Sequence, residues 1–166
     1  MTLPPPTVRL LVCGSADRGD DGAPLLAVAH LLPSLDAPTR ERLEVRRCPQ
    51  LDSSDIADVA QDEACLLLDV VIGIAPGTVV TLALPDLGLG RAGISPRSSQ
   101  PLPINEVLDD AALIRGCLPP GAFVGIGGVW FGFGEVQSRV VRAGLPRFEA
   151  AIEAAIRGLI RSPVGA

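Results

Sequence analysis

An α/β fold, with an open and mostly parallel sheet carrying helices on both faces, is what the sequence predicts, and three observations predict it. Segments that read as strands alternate with segments that read as helices. The run Ala64–Val71 is apolar throughout except for Asp69, as in a strand covered on both faces. Hydrophobic residues make up 48% and charged residues 20% of the 166 residues, a balance that fills a core and argues against disorder. One domain over residues 1–166 is expected, with a core of about 8–160 and short tails.

The elements follow in order. Val8–Val12 is a short apolar run and reads as the first strand. Cys13–Gly22 is a loop rich in Gly and Asp, and Asp20 or Asp21 is placed to cap the helix Ala23–Leu32, with Pro24 tolerated in its first turn. Pro33–Arg42 reads as a connection. Leu43–Cys48 alternates apolar and charged residues as a second strand. Ser53–Val59 reads as a short helix capped by Ser53 or Ser54. After the third strand, Pro76-Gly77 marks a turn into a strand over Thr78–Leu84. Leu87–Gln100 is a long Gly, Ser and Pro segment of the kind that carries function. Ile104–Arg115 reads as an amphipathic helix, Ala122–Val129 as a strand, and Trp130–Ala143 as irregular with room for a hairpin. Pro146–Ile160 is the last amphipathic helix, and Arg161–Ala166 is a tail.

Charge and composition exclude several functions. All the basic residues are arginines, scattered along a chain of net charge −5 in which aromatics are only 3%. Nucleic-acid binding is therefore not expected. No apolar run is long enough to span a membrane. Met1–Thr7 is proline-rich and lacks the basic and apolar regions of a secretory signal, so a cytoplasmic setting is expected. Cys13, Cys48, Cys65 and Cys117 form no Cys-x-x-Cys pair, and the expected role is that of small buried hydrophobes.

Right-handed crossovers place the second and third strands on either side of the first. Ligands of such sheets bind outside the carboxyl ends of the strands, where the strand order reverses. Two acidic features fall there: Asp17, Asp20 and Asp21 after the first strand, and Asp69 near the end of the third. An aspartate in a buried strand is costly unless it is paired, hydrogen-bonded or bound to a cation. Converging carboxylates would bind a metal or share a proton, whereas Asp69 could instead bond backbone amides of the glycine-rich loop. Asp17–Gly22 lacks the alternating ligands of a calcium loop, and no Gly-Lys-Ser/Thr follows the glycines as a phosphate loop requires. Cys13 opens the loop, but no histidine is placed to activate it as a nucleophile. His30 lies nine residues after Asp21, half a helical rotation away and about 13 Å along the axis, and so points away from the crevice.

Four motifs in order also resemble a known family. Val12-Cys13-Gly14-Ser15, followed by Asp20-Asp21-Gly22, is similar to the Gly-x-Gly-Asn…Asp-Asp/Glu-Gly opening of hydrogenase maturation endopeptidases. Asp69-Val70-Val71 with Pro76-Gly77-Thr78-Val79 resembles the family's Asp-Ala-Val and Pro-Gly-Thr-Val stretch. Ser98-Ser99-Gln100 ahead of Ile104–Leu108 falls where the family has Ser-Ser-His before a helix, and Ala143–Ile156 resembles its last helix. The resemblance implies a three-layer α/β/α fold with an open, mostly parallel twisted sheet. It implies an endopeptidase that removes the C-terminal extension of a nickel–iron hydrogenase large-subunit precursor once nickel is inserted. It also implies a metal-binding trio that recognises the substrate's nickel: Asp21, Asp69 and, in place of the family's histidine, Gln100. An amide oxygen is a harder and weaker donor than an imidazole nitrogen. Asp17, an extra acid in the loop, would complete an oxygen-only set of Asp17, Asp21, Asp69 and Gln100. Val12, Ser15, Pro24 and Gly127-Gly128 are milder departures from the family pattern. With the histidine absent, a second reading is a non-catalytic relative that binds a hydrogenase subunit as an assembly factor.

Overall fold

A computed structural model describes residues 7–90, 93–97 and 102–162. Its centre is β3, Glu63–Ile72, buried at every position except its two ends. β1 (Thr7–Cys13) pairs parallel with β3 on one side and with β2 (Leu43–Cys48) on the other. β6 (Gly121–Gly127) pairs parallel with the far side of β3, and β4 (Val79–Ala83) pairs antiparallel with β6. The strand order is β2-β1-β3-β6-β4, so β2 and β3 flank β1 as the crossover rule requires.

Strand alternation splits the core in two. Val8, Leu10 and Val12 of β1 and Leu66, Leu68 and Val70 of β3 face α1 (Ala23–Leu31) and α6 (Arg139–Arg161), where Ala27, Leu31, Phe148, Ile152 and Ile156 meet them. Leu11, Cys13, Cys65, Leu67 and Val71 face α3 (Ser53–Ala57), α4 (Leu84–Gly88) and α5 (Ile104–Arg115) through Ile56, Leu84, Val107 and Leu108. Each buried Leu or Ile contributes about 1.5–3 kcal/mol, so both helical layers are held mainly by these contacts. The fold is the expected three-layer α/β/α arrangement, with α2 (Ala37–Arg40) between α1 and β2.

Several elements sit where the pattern put them. β2 and α5 have the expected bounds, and α5 stops because Gly116 takes the left-handed conformation, φ 98°, at its end. Thr78 N donates to Ala75 O with Gly77 at φ 79°, which makes Pro76-Gly77 the centre of a type II turn.

Others differ, for identifiable reasons. The connection after α1 contains α2, whose N-terminus is capped by Asp36 through Thr39 N at 2.8 Å. The cap of α3 is Asp52, which shares a capping box with Asp55, rather than Ser53 or Ser54. Neither Asp20 nor Asp21 caps α1; its N-cap is Gly22, without a side-chain bond, because both carboxylates are engaged elsewhere. The segment 87–100 contains the end of α4 and a two-residue strand, β5 (Ser95–Pro96), paired antiparallel with Val71 and Ile72. β6 ends at Gly127 rather than Val129. Trp130–Ser138 forms no hairpin, and α6 begins at Arg139 with Pro146 inside it rather than at its start. Proline in a helix interior costs about 3 kcal/mol, yet the apolar stripe Val141, Leu145, Phe148, Ile152 and Ile156 runs unbroken across it and is fully used in the core.

Candidate functional site

The site grows from the carboxyl ends of β1 and β3. After Cys13 the chain turns at Gly14, φ 116°, and a 3-10 turn over Gly19–Gly22 folds back against the strand end. A Cβ on Gly14 would lie 2.0 Å from the carbonyl oxygen of Asp21, so the fold-back is open only to glycine. The result is a buried carboxylate: Asp21 is 8% exposed, and its Oδ2 accepts the Ser15 N–H at 3.0 Å. Its Oδ1 is buried with no hydrogen-bond partner among the described residues, and Arg97 Nε stands 3.9 Å away. Burial raises the Asp21 carboxyl above its usual range, against the opposing pull of Arg97, the Ser15 amide and Arg18.

That raised value has a stability consequence. The ionised form works against folding at pH above the raised pKa, and this cost shrinks as pH falls from there toward the ordinary carboxylate value, below which it is gone. Asp21→Asn is therefore expected to melt no lower than wild type at about neutral pH, with any gain shrinking on acidification. Thermal melts across pH check this; a clear loss of stability at neutral pH would contradict it.

Asp69 is fully buried on β3 opposite Gly125 of β6, and its Oδ1 accepts the Val70 N–H at 2.8 Å. The alternation of β3 turns it toward the α5 layer, beside Cys13, since Leu68 pairs with Val12. The 3-10 turn bearing Asp21 packs on β3, which places both acids at the carboxyl ends of adjacent strands. Gln100 lies outside the described residues. Asp17 is exposed and accepts the Ser15 hydroxyl, a bond that holds its carboxyl below the usual range. Among the described residues, no three His, Cys, Asp or Glu side chains are grouped as a metal ion would require.

Asp20, by contrast, is a structural tie. It is fully buried, and it accepts hydrogen bonds from Val129 N, Trp130 N, Ser138 N and Ser138 Oγ. These join the loop after β1 to the loop after β6 and to the N-terminus of α6, where a carboxylate is favoured. Gly19 N and Asp20 N add backbone bonds to Gly134 O and Trp130 O.

The loop after β6 carries the chain's one tryptophan and two of its four phenylalanines. Trp130 is 44% and Phe133 76% exposed, with Val129 and Val136 exposed beside them. The Arg18 guanidinium lies over the Phe133 ring at 3.8 Å, and that of Arg97 over the Phe131 ring at 3.9 Å. Sequence reasoning missed Arg97 and this rim; the clustering of aromatics in a chain so poor in them was the available signal.

The remaining candidates are accounted for. His30, on α1, pairs with Glu149 on α6 at 3.0 Å, away from the crevice. Cys13, Cys48 and Cys65 are buried and Cys117 is exposed. The Cys13 thiol is held well above its usual range by its hydrogen bond with Cys48, by burial and by the Asp69 charge, so it is a poor nucleophile. Burial pushes Cys65 up to about 12.

The class defined here is an α/β protein with two buried acids at the mouth of a parallel sheet and an aromatic rim beside them. No protein-family model and no curated protein matches the chain. Solved structures do share its fold. The hydrogenase maturating endopeptidase HybD from E. coli superposes with a TM-score of 0.72 at 18% identity, covering 92% of this chain and 93% of its own. The [NiFe] hydrogenase maturation protease HybD from Thermococcus kodakarensis gives 0.69 at 20%, covering 89% and 97%. The maturation protease HycI from the same organism gives 0.64 at 19%, covering 92% and 94%.

Proposed function

We propose that this chain is a cytoplasmic endopeptidase that removes the C-terminal extension of a nickel–iron hydrogenase large-subunit precursor after nickel insertion. The observation that carries the reading is Asp21 Oδ1, a buried carboxylate oxygen at the carboxyl end of β1 with no hydrogen-bond partner among the described residues. An oxygen kept in that state suits a cation delivered from outside. The nickel is substrate, carried by the precursor. Asp21 and Asp69 would hold it with their carboxylates, and Gln100 would add an amide oxygen. The cation then fixes the scissile bond beside the two acids. A carboxylate takes a proton from water, the oxygen adds to the scissile carbonyl carbon, and the proton passes to the departing amine as the peptide bond breaks.

Nickel-loaded precursor incubated with the purified chain tests this, with mass spectrometry reporting loss of the extension. Cleavage by wild type that disappears in Asp21→Ala and Asp69→Ala is the expected result. No cleavage by wild type, together with cleavage by Gln100→His, would mean that the chain binds the precursor without cutting it.

The aromatic rim is where the precursor would seat. Exposed apolar side chains next to a site mark a protein contact. Phe133→Ser is expected to raise KM for the precursor about tenfold while leaving kcat nearly unchanged. Steady-state kinetics decide this, and an unchanged KM would remove Phe133 from the contact.

A further inference from the structure

Asp21 has a cation of its own chain beside it. β5 pairs with the last residues of β3, Ser95 with Ile72 and Pro96 with Val71, and so brings the next residue, Arg97, over the end of the sheet. Its guanidinium carbon sits 3.9 Å over the Phe131 ring centroid while its Nε stands 3.9 Å from Asp21 Oδ1. That separation is too long for a hydrogen bond and short enough for strong attraction between opposite charges. The Arg97 side chain is 36% exposed, so one side of it faces solvent and it has room to move. The oxygen that faces it is the one without a hydrogen-bond partner among the described residues.

We infer that Arg97 is a displaceable counter-ion of Asp21 that sets the site against free divalent cations, so that Asp21 accepts only a cation already held by a docked substrate. A dissolved metal ion approaching Oδ1 meets the positive charge of Arg97 and brings no docking energy with which to displace it. A cation carried by a protein arrives with the binding energy of the whole contact, which can move Arg97 aside along the Phe131 ring. Arg97 is thus a specificity-determining residue. This inference rests on the reading of Asp21 as a ligand for the substrate's cation.

The test is binding of nickel chloride, measured by isothermal titration calorimetry, to the full chain and to Arg97→Ala, Arg97→Gln, Arg97→Lys and Arg97→Ala with Asp21→Asn. Both neutral variants are expected to bind nickel about tenfold or more tightly than wild type. Two of them are used so that a folding defect in one leaves the other informative. Arg97→Lys keeps the charge and is expected to remain close to wild type. The double variant is expected to lose the gain. Equal affinity in wild type and the neutral variants overturns the inference, and so does a gain that survives Asp21→Asn. The precursor assay separates the two readings. Cleavage by wild type without a gain in Arg97→Ala leaves the peptidase and removes the counter-ion role; a gain without cleavage does the reverse.

Discussion

Asp20→Ala is expected to cost the fold about 3–5 kcal/mol. The carboxylate accepts from Val129 N and Trp130 N at 2.9 Å each, from Ser138 N at 2.6 Å and from Ser138 Oγ at 2.9 Å. Alanine would leave three backbone N–H groups and a hydroxyl without their acceptor. An unsatisfied buried donor costs about 1–3 kcal/mol, and water entering the vacated space recovers part of the sum. Asp20→Asn should fall between, since one amide oxygen replaces two acceptors and the amide N–H would face another donor. Urea denaturation measures both, and in a chain of this length the alanine variant should melt roughly 10 °C lower. A loss under about 1 kcal/mol would mean that the loops after β1 and β6 hold together without this tie.

The second large effect is on catalysis. Asp69→Asn keeps the shape of the side chain and leaves an oxygen to accept the Val70 N–H, so the fold should persist. It removes the charge. If Asp69 holds the substrate's nickel or handles a proton, cleavage of the nickel-loaded precursor should fall by about 10²–10⁴-fold, and Asp21→Asn should match it. Single-turnover assays with saturating precursor isolate the chemical step. Retention of cleavage within about fivefold of wild type in a folded Asp69→Asn would take Asp69 out of the chemistry and leave it as a partner of backbone amides.

Much of this molecule is legible in its sequence, and the reasons are local. β2 and α5 are read to their bounds because alternation and 3.6-residue periodicity are strong there, and because Gly116 stops the helix. Asp69 stands out as the one acid in an apolar run, and the strand ends near it follow from the crossover rule. What fails is what depends on distant partners. Asp20 binds backbone amides more than a hundred residues away, and backbone amides leave no trace in side-chain patterns. β5 has two residues, too few to show a period. Arg97 lies in an aperiodic stretch, and its pairing with Asp21 exists only once β5 has docked on β3. Pro146 reads from sequence as a helix start because proline favours a first turn, but the apolar stripe on both sides of it outweighs that preference.

The turn at Gly14 is defined by an atom that is absent. With Asp21 O only 2.0 Å from where a Cβ would stand, main chain touches main chain, and that contact together with one Ser15 N–H sets where the carboxylate points. Apart from Asp20, which ties the loop to the segment after β6, the loop's other side chains contribute little to this aim. The loop can therefore exchange Ser15, Asp17 or Arg18 for other residues and keep its acid in place. A single methyl group at position 14 would push the acid out of position while every residue of the charged site remained intact.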